Sequence, residues 1–256
     1  MAPRSLTLFS LPGVPIVQPG DDIASLIIEG VGRAGETLQD GDIVVIAQKV
    51  VSKSEGRFFE LQAVVPSDQA IELAEETDKD ARLVELVLSE SERVLRYRKG
   101  VLIVVHRLGF VLANAGIDRS NVGPNEIGES VLLLPKDPDA SCKRIRDNIR
   151  QFGGVDVAIV MNDSLGRAWR NGTTGVALGA AGLPALMDLR GQDDLFGRPL
   201  EATQLGLADE IASAASLLQG QADEGTPFVV LRGMQFAEAS LDAGTLIRNI
   251  EEDLFR

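Results

Sequence analysis

The chain has 256 residues, 45% hydrophobic and 25% charged, with a net charge of −13. That length supports a proper core in one large unit or two small ones, and the acidic balance argues against nucleic acid or an anionic membrane as partner. One cysteine, Cys142, and one histidine, His106, exclude an internal disulfide and a Cys/His zinc cluster, so any metal would be held mainly by oxygen, which favours Mg2+ or Mn2+.

Taken in order, Ser5 to Phe9 reads as a short strand leading into a Pro-Gly turn from Leu11 to Val17. Asp21 or Asp22 can cap a helix with Ile23, Leu26, Ile27 and Val31 on its apolar stripe. Gly41 to Ala47 is a buried strand that runs into the basic, Ser/Gly-containing stretch Gln48 to Arg57, a plausible phosphate contact. No GxxxxGK[ST] and no strand-linked GxGxxG occurs. Ser67 to about Glu76 and Asp80 to about Ser89 read as helices, the second with Leu83, Leu86 and Val87 inward, and Tyr97 as a partly buried packing residue. Val101 to Val105 and Phe110 to Ala113 form a hairpin around Arg107-Leu108-Gly109, which gives His106 a structural role. The second arm flows into Asn114 to Val122, an acidic strand end with Asp118, with Gly116 for a tight approach and Asn121 as an amide ligand or base contact. Asn125 to Glu129 is a loop and Ser130 to Leu134 a short strand.

Asp137-Pro138-Asp139 opens a helix with Cys142, Ile145, Ile149 and Phe152 on one face, stopped by Gly153. Val155 to Met161 is a second buried strand, ending in Asn162-Asp163-Ser164 and followed by a Gly- and Arg-rich turn that contains Arg167 and Arg170. Gly175 to Leu186 is too featureless to assign, and Arg190 to Arg198 is a charged loop. Thr203 to Leu218 reads as a helix with Leu207, Ile211, Ala214 or Ala215, and Leu218 inward and Asp209-Glu210 on a solvated face. Gly220 ends it, a polar loop runs from Gln221 to Gly225, Phe228 to Leu231 is a last buried strand, and Leu246 to Phe255 a surface helix. No apolar run approaches the ~20 residues a membrane helix needs, and no basic-then-apolar leader opens the chain, so the expected compartment is the cytoplasm.

Asp118 and Asp163 each close a strand and are followed by amide or hydroxyl groups. If those strands share a sheet end, the two carboxylates can hold one or two divalent cations that bridge nucleotide phosphates. Arginines offer rigid forks for phosphate or carboxylate, and an acidic protein must concentrate its basic groups locally to hold anions. Lys49 with Lys53 and Arg167 with Arg170 are the candidate pairs. No residue suggests covalent catalysis, so phosphoryl transfer or phosphate-driven ligation fits better than hydrolysis.

The segments GVPIVQPGDDI, IAQKVVSKSEGR, ANAGIDRSNV, NDSLGRAWRNGTTGVALGAAG, ADEIASAASLLQGQ and VVLRG, in that order from about Leu11 to Gly233, resemble the coenzyme F420 glutamate ligase family. The resemblance implies an α+β fold of mixed sheets with packed helices, one ligase domain over residues 1–256 (or two intimately packed subdomains), and an intertwined homodimer. It implies GTP as cosubstrate, Mg2+ or Mn2+ with K+ as a further ion, and L-glutamate joined to the lactyl-phosphodiester deazaflavin F420-0 through an acyl phosphate, with further γ-linked glutamates. Carried over by motif, Asp118, Asp163 and Ser164 are metal ligands, while Val14, Pro15, Ile16, Val17, Lys53, Asn121, Gly220 and Gln221 contact the nucleotide. Gln48 and Lys49 fall in the same nucleotide segment but depart from the small hydroxylated residues of archaeal relatives, and Asn162 stands where Thr is expected. Arg167 and Arg170 are the catalytic candidates. Another metal-dependent phosphoryl-transfer enzyme on this scaffold is the alternative. A nucleotide-binding regulator is a weaker one, since two acidic strand ends and an arginine cluster exceed what binding requires.

Overall fold

The computed structural model describes residues 5–122, 130–236 and 239–254. The chain opens with β1 (Thr7–Ser10), then α1 (Ile23–Arg33), capped by the Asp22 carboxylate, which accepts hydrogen bonds from the backbone N–H groups of Ala24 and Ser25. Next come β2 (Ile43–Ala47), α2 (Gln48–Ser54), β3 (Phe58–Glu60), α3 (Asp68–Thr77) and α4 (Ala81–Ser89). Then follow β4 (Ser91–Arg98), β5 (Val101–His106), β6 (Val111–Ala113), β7 (Ser130–Leu132) and α5 (Pro138–Gly153). The last third holds β8 (Ala158–Arg167), β9 (Arg170–Ala181), β10 (Met187–Asp188), β11 (Gln204–Leu205), α6 (Leu207–Gln219) and β12 (Phe228–Arg232). No helix among the described residues is long and apolar enough to cross a membrane.

Helices and mixed sheets agree with the α+β expectation. The largest sheet has the order β1-β12-β2-β8-β9, with β2 and β8 parallel and every other pair antiparallel. Both faces of its strands are apolar and both are covered. Val44, Ile46, Ile159, Met161, Phe228 and Val230 pack with α1 and α5 residues, while Ile43, Val45, Val160, Val229 and Leu231 pack with α6. Continuous apolar runs are what a sheet buried on two sides demands. A second group of clusters lies between α3, α4 and the three-stranded sheet β4-β5-β6.

Several expectations need correction. The strand predicted to stop at Met161 runs on to Arg167, so Asn162, Asp163 and Ser164 lie within β8 rather than beyond it. The featureless stretch is mostly β9. A Cβ on Gly175 would lie 2.3 Å from the Ala212 carbonyl oxygen of α6, and one on Gly179 2.5 Å from the Pro138 carbonyl carbon of α5. The register skips at Met161/Asn162, a bulge that sends these two glycines to opposite faces, so helices press on both sides and erase the apolar signal.

α6 begins only at Leu207, and Leu218 is 39% exposed. Asp209 is not solvated: its carboxylate accepts a hydrogen bond from Ala177 N at 2.8 Å, and burial raises its pKa. Phe152 is exposed because left-handed Gly154 ends α5 beyond the core stripe. Tyr97 lies on the edge strand β4, half exposed, its hydroxyl bonded to Glu76. β4 itself was not anticipated. The C-terminal stretch forms two short 3-10 turns, Ala243–Leu246 and Ile250–Glu252, instead of a helix. Leu246 and Ile247 enter different clusters in succession, which needs the extended backbone found at Ile247. The loop expected at Asn125 to Glu129 and the position of Phe255 lie outside the described residues.

Candidate functional site

Parallel pairing of β2 with β8 sets Ala47 beside Asn162. The residues that follow Ala47, Gln48 and Lys49 at the start of α2, therefore arrive next to Asp163. The chain beyond β1 and the loop before β12 reach the same edge, because β1 runs with β2 and β12 runs against it. Four segments far apart in sequence thus converge where open sheets place ligands.

Asp118 comes from the other side, out of a strained turn. Asn114, Ala115 and Gly116 all carry positive φ, +51°, +53° and +66°, which is costly for the two non-glycine residues. At Gly116 the positive φ favours glycine, and a Cβ there would also press on the Leu112 and Leu134 side-chain methyls at 2.9 Å. Asp118 and Leu132 then exchange backbone hydrogen bonds, Asp118 N to Leu132 O at 2.9 Å and Leu132 N to Asp118 O at 3.0 Å, which fixes the carboxylate's origin. Asn114 Oδ1 is buried without a partner among the described residues.

The electrostatics are those of an anion pair held by one lysine. Lys49 Nζ lies 3.0 Å from Asp118 Oδ1, and Gln48 Nε2 donates to Asp118 Oδ2 at 2.7 Å. Gln48 is itself fixed, since its Oε1 accepts from Ser52 Oγ at 2.8 Å. Burial raises the Asp118 pKa and Lys49 opposes it. Asp163 is pushed up to about 6, by burial first and the Asp118 charge second. Burial and the Lys49 charge lower Lys53.

A cavity of about 1100 Å3 opens over these groups. Val14, Pro15, Ile16, Val17, Gln48, Lys49, Lys53, Asp118, Asn121, Asp163, Ser164, Arg167, Gly220 and Gln221 all line it. Arg167 Nη1 is buried there without a hydrogen-bond partner among the described residues. Arg170 does not line the cavity. It faces Arg167 across the turn of the β8-β9 hairpin and is exposed, so the arginine pair expected from sequence is split by its own turn. Asn121 Nδ2 donates to Ala222 O at 3.1 Å, holding the 220–226 loop.

Two features had no sequence signal. Asn162 and Gln219 exchange side-chain hydrogen bonds at 2.7 and 3.1 Å, and Gln219 Nε2 also donates to Pro227 O at 3.1 Å, tying the strand that carries Asp163 to the loop after α6. Within that loop the Glu224 carboxylate accepts from Ala222 N at 2.8 Å and sits where a Cβ on Gly220 would be, 2.0 Å from its Cδ. Amide pairs joined across 57 residues show no local pattern.

Among the described residues no group of three or more His, Cys, Asp or Glu could hold a metal. The available donors are two carboxylates and the Ser164 hydroxyl, all hard oxygens. A divalent cation fits such a set when ligand phosphate or water completes it, and it would offset both the burial and the Asp118 repulsion that raise Asp163.

The family profile described as F420-0:Gamma-glutamyl ligase matches residues 13–233. The chain is similar to a protein named coenzyme F420:L-glutamate ligase from Methanothermobacter thermautotrophicus, 44% identical over 98% of this chain and 99% of the relative. It is likewise similar to proteins of the same name from Methanopyrus kandleri, 45% identical over 94% of this chain and 93% of the relative, and Methanocaldococcus jannaschii, 42% identical over 86% of each.

Proposed function

We propose a function from one premise: the chain belongs to the F420-0:gamma-glutamyl ligase family, and it is a ligase that forms a carbon–nitrogen bond. The bond joins L-glutamate to coenzyme F420-0, and GTP drives it. The terminal carboxylate of the acceptor takes the γ-phosphoryl group of GTP, releasing GDP. The glutamate amine then attacks the acyl carbon, and phosphate leaves with the electron pair of the broken C–O bond. Further glutamates add through γ-linkages.

The chain's residues divide this work. The turn from Val14 to Val17, Gln48, Asn121 and the loop around Gly220 and Gln221 cradle the nucleotide. Asp118, Asp163 and Ser164 hold one or two Mg2+ or Mn2+ ions, with K+ as a further ion. When bound, such ions neutralise phosphate charge. Lys49 and Lys53 offset the negative charge gathered by two polyanionic substrates, and Arg167 offers a phosphate or carboxylate oxygen its Nη1, which has no hydrogen-bond partner among the described residues. Arg170 acts from the hairpin turn. The fold acts as one ligase domain in an intertwined homodimer in the cytoplasm. The observation that supports this reading best is the convergence of Asp118, Asp163, Lys49, Lys53 and Arg167 on one cavity.

Mass spectrometry of the deazaflavin after incubation with GTP, Mg2+ or Mn2+ and glutamate tests it. The mass should rise by glutamyl units, with phosphate released only when acceptor and glutamate are both present. GTP cleavage that ignores the acceptor would instead point to another phosphoryl-transfer reaction on this scaffold.

A further inference from the structure

The three-stranded sheet β4-β5-β6 has one face packed on α3 and α4 and one face turned outward. Register fixes which residues share the outward face, since paired positions in an antiparallel ladder project to the same side. Ile103 pairs with Ala113 on one side and Arg96 on the other, and Val105 pairs with Val111 and Arg93. Two rows therefore cross the sheet, Ala113–Ile103–Arg96 and Val111–Val105–Arg93, each apolar on β6 and β5 and cationic on the edge strand; Val105 is covered, at 2% exposure, so only the first row is open from end to end. The intervening Leu102, Val104 and Leu112 point inward and are buried.

The apolar ends of these rows reach the catalytic cavity. Ile103, Val111 and Ala113 line it, and Val111 remains 42% exposed although it belongs to a strand. At the far end Arg93 and Arg96 are exposed, about 10 Å away across two strand spacings. In a chain of net charge −13, two arginines in register on one exposed face are a local exception.

We propose that this outward face is the docking track for the acceptor: its planar heteroaromatic ring lies on Ile103, Val111 and Ala113, and the Arg93 and Arg96 edge receives the ring once the tail has grown. The inference rests on the ligase reading above. The reacting carboxylate has to stay at the phosphoryl-transfer end of the cavity in every cycle, so each added glutamyl unit pushes the ring outward along the open row. A flat apolar patch suits the ring of the short acceptor. Guanidinium groups suit a displaced ring and the carboxylates trailing behind it, because they stack on aromatic faces and pair with carboxylates. The apolar-to-cationic order along the open Ala113–Ile103–Arg96 row, with Val111 and Arg93 flanking its two ends, thus matches the order in which short and lengthened acceptors need it.

The test is equilibrium binding of F420-0 and of its monoglutamylated form, read by deazaflavin fluorescence anisotropy, together with steady-state kinetics and sedimentation. Val111→Asp should weaken binding of both acceptors at least ten-fold while leaving the KM for GTP unchanged. The pair Arg93→Glu and Arg96→Glu should weaken the monoglutamylated acceptor at least ten-fold, F420-0 much less, and shorten the glutamyl tails seen by mass spectrometry. These positions are solvent-facing, and melting curves matching the wild type verify that the variants fold. If acceptor binding and tail length are unchanged in variants of an active enzyme, the docking track is wrong and the ligase reading stands. If the variants dissociate from a wild-type oligomer, this face joins copies of the chain and the proposal also falls. Wild-type protein that neither binds nor glutamylates a deazaflavin would remove the ligase reading itself.

Discussion

At the scale of single residues, the site is a contest between burial and charge. Asp163 is pushed up to about 6 from 3.8 by burial and by the charge of Asp118. A carboxyl raised in the folded state lends stability that is full below the unfolded value, near pH 4, and lost as pH rises through about 6. In the absence of divalent ions, Asp163→Asn should therefore melt higher than the parent at pH 8, by an amount on the order of 2 kcal/mol, and the gap should close by pH 4. Thermal melts across that range decide it, and adding Mg2+ or Mn2+ should stabilise only the parent. The arginines separate just as plainly. Arg167→Lys should lower kcat/KM by roughly ten-fold or more, since a point charge cannot replace a planar fork, whereas Arg170→Lys, outside the cavity, should fall within two-fold. Equal losses would mean that the hairpin turn moves during the reaction. Asp118, Asp163, Lys49 and Lys53 were legible because carboxylates and lysines at strand ends already have a chemical meaning. Gln219 and Glu224 were not: their roles exist only once α6 and β12 have brought the loop between them to the sheet edge.

At the scale of elements, buried strands and capped helices were readable and small-residue segments were not. β2, β8 and β12 announce themselves by apolar runs, and α1 and α5 by Asp22 and Asp137 at their caps. β9 carries no such signal, because Gly175 and Gly179 replace side chains with helix backbone. Gly175→Ala should destabilise the chain by about 2 kcal/mol or more, since the added methyl would meet the Ala212 carbonyl and neither backbone can retreat freely. Denaturant unfolding measures it, and a loss under 0.5 kcal/mol would show that α6 is not pinned against β9. The edge strand β4 is hidden in the sequence for a related reason. Its exposed Arg93, Arg96 and Arg98 carry no apolar alternation, and pairing with β5 alone makes them a strand.

Across the whole molecule, the surface opposes the site. Under the proposed function, a chain of net charge −13 would have to gather an anionic nucleotide, an anionic acceptor and glutamate around a few cations. Nucleotide binding should therefore require divalent ion and weaken as salt rises from about 0.05 to 0.5 M, because the attraction of Lys49, Lys53 and Arg167 is screened. Titration calorimetry at several ionic strengths would show it, and salt-independent binding would mean that hydrogen bonds alone hold the phosphates. The strand order has another consequence, for the making of the protein. β12 lies between β1 and β2, yet it leaves the ribosome after both and after the whole site-bearing middle of the chain. Until residues 228–232 emerge, β1 has no neighbour and one edge of β2 stays open to stray pairing. The sheet that aligns the site is therefore completed late in synthesis, and partial chains expose the edge their own last strand is meant to fill.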